Sequence, residues 1–244
     1  MKQNFLPLTC MILLTFLIFI IPLVSAELLI QAQPEGVYNL GDQFSIPIKI
    51  TTTKSINGFL SMSLICSEVQ KEFYREYIIL KPGEEKQVNP SILLVTSLIG
   101  SAKGTCKIKA ELLGEQVLTN DFSISNSLTI EVNTGETEFK PGQKILIEGG
   151  ATKENKKSVE GVVELTIDNQ GNLISDTIHN GQFEVNFSFP KDTPAGEHLL
   201  RLNAYERDTE GGITNSGSID YPIIIIQVPT SLELLFENTE VEPG

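Results

Sequence analysis

The sequence predicts an all-β chain of tandem antiparallel sandwiches behind an export signal, and three observations carry that expectation. Apolar and polar residues alternate with period two over short runs such as "FSIPIKI", "CKIKAEL", "QKILIEG", "FEVNFSF" and "HLLRLNA", the pattern of half-buried strands. Gly, Pro, Asn and Asp break the runs, and no convincing amphipathic helix follows Ala26. Short strands with turn signals between them at intervals of about ten residues indicate sandwiches of antiparallel sheets.

The third observation is a long repeat. The passages "LLIQAQPEGVYNLGDQ", "LTIEVNTGETEFKPGQ" and "LELLFENTEVEPG" each open on an alternating strand, and they reach Gly41, Gly142 and Gly244, at intervals of 101 and 102 residues. A period near 100 residues is the size of one immunoglobulin-like sandwich. The predicted fold class is therefore all-β, with tandem immunoglobulin-like antiparallel β-sandwiches after an N-terminal signal peptide. Residues 1–26 form the signal peptide, 27–126 the first sandwich and 127–229 the second. Residues 230–244 form the first strand of a third, truncated repeat, so the chain is expected to belong to a longer protein.

Each segment has its own justification. "MKQNFLPLTCMILLTFLIFIIPLVSA" has a lysine at Lys2, an apolar run from Phe5 to Ile21, and Val24-Ser25-Ala26 ahead of Glu27, which suits signal-peptidase cleavage. The alternative is an uncleaved anchor, because a run of about 20 residues can span a bilayer. Both readings place the remainder outside the cytoplasm, secreted or at the cell surface. From Glu27 onward the chain carries 17 basic and 31 acidic side chains, and residues 127–229 alone carry 8 against 16. Such a chain repels nucleic acid and anionic membrane; the charge serves solubility.

The second half of each repeat has the same order of events. "GQFEVNFSFPKDTPAGEHLLRLNAYE" reads as strand E, a corner with Pro190 and Pro194, and strand F after Gly196; in the first repeat Gly104 opens strand F. Glycine lets the chain turn from the corner into a central strand without a Cβ penalty. On these residues, "FKPGQKILIEG" followed by "GQFEVNFSFPKDTPAGEHLLRLNA" resembles the macroglobulin-type and related immunoglobulin-like repeats of prokaryotic exported surface proteins, archaeal ones among them. "YIILKPGEEKQV" is similar to cell-adhesion-related sandwich domains of the same class. The resemblance implies extracellular stalk and adhesion architecture and assigns no chemistry.

The constellations that could carry chemistry are few. Alpha-macroglobulins hold a reactive thioester in a Cys-Gly-Glu-Gln motif, but in "LLGEQ" Leu113 precedes Gly114, so there is no thiol to acylate and the segment reads as the turn from strand F to strand G. Cys10 leaves with the signal peptide. Cys66 shares phase with Leu60, Met62 and Leu64, and Cys106 with Ile108, Ala110 and Leu112. Both sulfurs should face the core, and strands C and F are antiparallel neighbours in this topology. A Cys66–Cys106 disulfide is expected in an oxidising compartment, with two buried free thiols as the alternative. Aligning Gly58 with Gly161 and Gly104 with Gly196 sets Asn169 and His198 at the matching places, so the second repeat lacks the bridge. His198 is expected at the edge of the core and His179 ahead of the turn at Asn180-Gly181; the two do not make a metal-ligand pattern. "DNQGN" at 168–172 lacks the carboxylate spacing of a calcium loop and reads as a hairpin turn. Asn186 begins the only glycosylation sequon of the chain, Asn186-Phe187-Ser188, and alternation turns it outward. The chain has no Trp, which removes the usual platform for stacking sugars.

No catalytic residue, cofactor or metal is expected. The expected function is that of a non-catalytic exported surface segment, a structural or adhesive stalk of immunoglobulin-like repeats. The alternative is an accessory β-sandwich region of a larger extracellular enzyme or macroglobulin-like protease trap whose active part lies beyond residue 244. The expected partners are protein or cell-surface components and not nucleic acid. Membrane contact is expected only through an uncleaved N-terminal segment or an anchor beyond the chain. The sequence assigns no oligomeric state.

Overall fold

In the computed structural model, which describes residues 26–168 and 170–227, the chain is all-β and divides into two compact units between Ile124 and Ser125. Residues 1–25 of the expected signal peptide, with Cys10, and residues 230–244, the expected start of a third repeat, lie outside the described residues. Ala26 opens the first strand, buried and paired with Thr52.

The first unit runs β1 (Ala26–Ile30), β2 (Val37–Asn39), β3 (Gln43–Ser45), β4 (Ile48–Thr52), β5 (Ile56–Cys66), β6 (Val69–Leu80), β7 (Glu85–Val88) and β8 (Ser91–Leu93). A single helical turn, α1 (Thr96–Ile99), leads to β9 (Gly104–Leu112), β10 (Glu115–Leu118) and β11 (Phe122–Ser125). One sheet has the order β1-β4-β7 and the facing one β2-β11-β9-β5-β6, with β10 also on β9. This is the A-B-E and A′-G-F-C-C′ arrangement of an immunoglobulin-like sandwich. The apparent single run "FSIPIKI" is cut in two. Pro47 has no N–H to give to a ladder, so β3 pairs with β8 while β4 pairs with β1 and β7. Its carbonyl still accepts from Gln31 N–H at 2.9 Å, and the Pro90 carbonyl opposite accepts from Ile46 N–H at 2.9 Å.

The second unit holds β12 (Leu128–Val132), β13 (Glu138–Phe139), β14 (Lys144–Lys153), β15 (Gly161–Ile167), β16 (Gln170–Ile178), β17 (Gln182–Ser188), β18 (Gly196–Arg207) and β19 (Ile213–Ile225). Its sheets are β12-β14-β17 and β13-β19-β18-β15-β16, the same order of strands as in the first unit.

Alternation becomes burial. On β17, Phe183, Val185 and Phe187 are buried while Glu184, Asn186 and Ser188 are exposed; on β9, Cys106, Ile108, Ala110 and Leu112 are buried. Each unit has one apolar core, drawn in the first from residues such as Ile48, Leu60, Leu64, Leu94 and Ile108, and in the second from Ile147, Leu165, Val185, Phe189 and Leu202. Burial of a large aliphatic or Phe side chain contributes about 1.5–3 kcal/mol, so it is the alternation, repeated on every strand, that holds the sheets face to face. Gly104 and Gly196, at the head of each strand F, have φ of 85° and 138°, a region open to glycine and costly for residues with a Cβ.

Candidate functional site

Cys66 and Cys106 stand directly opposite one another where β5 ends and β9 begins, and they are joined as a disulfide. Both are 1% exposed. The bridge pins strand C to strand F inside the core, where a reductant has little access.

The second unit pins the same two strands with polar chemistry. Its C–F register runs from Val162↔Tyr205 to Ile167↔Leu200; continued two places, it sets His198 where Cys106 stands in the first unit. The partner comes from Asp168, one residue ahead of the place that corresponds to Cys66. Asp168 Oδ2 lies 2.6 Å from His198 Nδ1, Asp168 Oδ1 accepts from Leu199 N–H at 2.8 Å, and His198 Nε2 lies 2.9 Å from the Pro194 carbonyl. Both ring nitrogens therefore face acceptors. A neutral imidazole has one N–H and can satisfy only one of them, so the geometry calls for the imidazolium. Burial works against a charged ring here, but the Asp168 carboxylate and the Pro194 carbonyl outweigh it and raise the His198 pKa above its ordinary 6.5. Burial likewise works against the Asp168 carboxylate, and Leu199 N–H and His198 overcome it to hold that pKa below 3.8. The result is a clasp that ties the E–F corner, through Pro194, to the C–C′ turn.

The sign of its pH dependence follows from these directions. A raised histidine pKa contributes stability that is whole below 6.5 and lost as pH rises through the folded value. A depressed aspartate pKa contributes stability that is whole above 3.8 and lost as pH falls through the folded value. The clasp is complete between those two pH values. The stability difference between the wild type and His198→Gln, followed by thermal unfolding of the second unit, should be largest at mildly acidic pH and shrink above neutrality. A difference that is flat in pH, or that grows above neutrality, would contradict the imidazolium assignment.

Beside the clasp lies an open cleft of about 390 Å³, walled by Ile167, Phe189, Pro190 and Pro194 with Asp192 and Thr193 at its rim. Both clasp side chains are already engaged by protein groups. His179 is elsewhere, exposed at the start of the hairpin turn, with Nδ1 3.0 Å from Glu160 Oε2. Among the described residues no group of three His, Cys, Asp or Glu could hold a metal ion. Segment 112–116 is the hairpin between β9 and β10, with positive φ at Leu113 and Gly114 (53° and 89°), a two-residue turn of the kind that joins twisted strands. Asn186 is exposed on β17, opposite Leu146 of β14.

Two features carry no sequence signal of the motif kind. Glu206, 8% exposed, accepts from Asn215 Nδ2 at 2.7 Å and pairs with Lys153 Nζ at 3.0 Å. The Glu160 N–H also reaches it, at 3.2 Å, which ties the B–C loop to strands F and G. Each oxygen of the buried carboxylate therefore has a partner. The second feature is apolar: on the outer face of the six-stranded sheet of the first unit, Phe59 and Tyr77 are 56% and 50% exposed with ring centroids 5.0 Å apart, and Ile79 beside them is 67% exposed. Arg75 lies over the Phe59 ring at 5.8 Å. Such a cluster costs solubility unless something covers it.

No family model matches the chain, and no curated protein matches it. Among solved structures, a mutant β-glucosidase from Listeria innocua in complex with laminaribiose shows 14% identity and a TM-score of 0.35, over 41% of this chain and 16% of that one. The β-glucosidase of the same organism in complex with glucose shows 15% identity and a TM-score of 0.34 over the same shares. The chain thus spans 16% of the length of these enzymes. The fibronectin(III)-like modules of Clostridium thermocellum CbhA show 14% identity and a TM-score of 0.29, over 85% of this chain and 100% of theirs. The chain's own strand order in each unit is that of an all-β, immunoglobulin-like sandwich.

Proposed function

We propose that the protein is a non-catalytic exported surface segment, a structural or adhesive stalk of immunoglobulin-like repeats. The observation that carries this reading is that both units tie strand C to strand F at the same end of the ladder, by Cys66–Cys106 in the first and, from one residue off the matching place on the C side, by Asp168–His198 in the second. In this topology strands C and F lie side by side within one sheet, and a tie between them resists the sliding that opens a sandwich. A disulfide also suits an oxidising, extracytoplasmic setting. The exposed Phe59, Tyr77 and Ile79 supply a surface on which a protein or cell-surface component can be held. A membrane-impermeant amine reagent applied to intact cells that make the protein tests the reading. Labelling of the intact cells supports a surface segment, and labelling only after lysis contradicts it.

A further inference from the structure

We propose that β6 of the first unit is a homotypic edge, on which a second copy of this chain pairs its own β6 antiparallel. This inference does not depend on the stalk reading. Strand β6 ends its sheet, and among the described residues no strand lies beyond it. At 12 residues it is one of the longest strands in the unit, so its free side offers a long row of backbone donors and acceptors. Its centre reads Lys71-Glu72-Phe73-Tyr74-Arg75-Glu76. Turned end for end, this hexapeptide exchanges each basic residue for an acidic one and Phe for Tyr. A two-fold axis between Phe73 and Tyr74 therefore sets Glu72 against Arg75 of the second copy, and Lys71 against Glu76 of the second copy.

A bulge makes the faces agree. Glu72 and Arg75 are three residues apart and would point to opposite faces of a regular strand. Phe73 takes no partner in the register with β5, so Glu72 stands opposite Ser63 and Arg75 opposite Ser61, both on the outer face. There they form a two-pronged pair, Arg75 Nε to Glu72 Oε1 at 2.8 Å and Nη2 to Oε2 at 2.7 Å. The two-fold arrangement joins this pair to its copy as a square of four alternating charges. The neighbouring registers are closed: a slip of one residue in one sense sets Lys71 against Arg75, and in the other sets Glu72 against Glu76. Charges and a bulge on an edge strand guard against indiscriminate pairing; here they leave a single register open, and that register fits a second copy.

Sedimentation velocity on residues 27–244 from about 1 μM to about 1 mM covers the range open to a small, main-chain-driven interface. A reversible monomer–dimer equilibrium is expected. Glu72→Arg and Arg75→Glu each bring like charges together across the axis and should each raise the dissociation constant at least about tenfold. The double variant Glu72→Arg/Arg75→Glu restores the alternation and should return it to within about threefold of the wild type. Both residues are exposed, so neither change touches the core. A monomer throughout the range, a dimer indifferent to both single changes, or a double variant that does not recover would each overturn the proposal.

Discussion

Cys106→Ala should lower the stability of the first unit by about 2–5 kcal/mol. The bridge closes a loop of 40 residues, and in the chain-entropy model such a loop restricts the unfolded chain by about 4 kcal/mol. Cys66→Ala and the double variant should lose about the same amount as Cys106→Ala, because one bond is lost in all three. Denaturant unfolding of the four proteins gives the comparison. Thiol titration of the wild type under denaturing, non-reducing conditions should find neither Cys66 nor Cys106 reactive. Two reactive thiols beyond any retained Cys10 would contradict the bridge and remove the basis of the stability prediction.

Phe187→Ala should cost about 3–5 kcal/mol through the cavity it leaves. The side chain is 7% exposed on β17, pairs across to Ile145, and sets its ring edge-on to Phe189 with centroids 5.2 Å apart. Its neighbour Asn186 points to solvent, so Asn186→Asp in unglycosylated protein should cost well under about 1 kcal/mol. The contrast between adjacent residues tests the register, since a slip of one place would exchange the two faces. Equal losses at 186 and 187 would show that β17 is misplaced.

Strand β17 was legible because Phe183, Val185 and Phe187, continued by Phe189 just past its end, keep period two and leave one assignment of faces. The Cys66–Cys106 pair was legible because both cysteines keep phase with long buried runs, and because strands C and F of a sandwich are neighbours. The clasp was not. His198 could be aligned with Cys106, but its acceptor is Asp168, one place off the matching residue and at the turn where alternation ends; φ is 47° there. The split of "FSIPIKI" was hidden because Ile46 and Ile48 are both fully buried, so the alternation continues across Pro47 while the pairing changes sheet. Glu206 sits between Tyr205 and Arg207 on β18 and looks like an ordinary solvated carboxylate until Lys153 and Asn215 are brought to it. The edge bulge at Phe73 is a property of pairing, invisible in β6 alone.

Force extension of residues 27–244, held at both ends, tests most directly the claim of two sandwiches each tied between strands C and F. Two separate unfolding events are expected. The event from the first unit should release a contour length that falls short of its reduced form by about 14 nm, the span of the 40-residue loop at about 3.6 Å per residue. Adding reductant after that event, while the chain is held under load, should release the missing length in one step. Extension as a featureless spring, or a first event whose length is the same with and without reductant, would contradict the account.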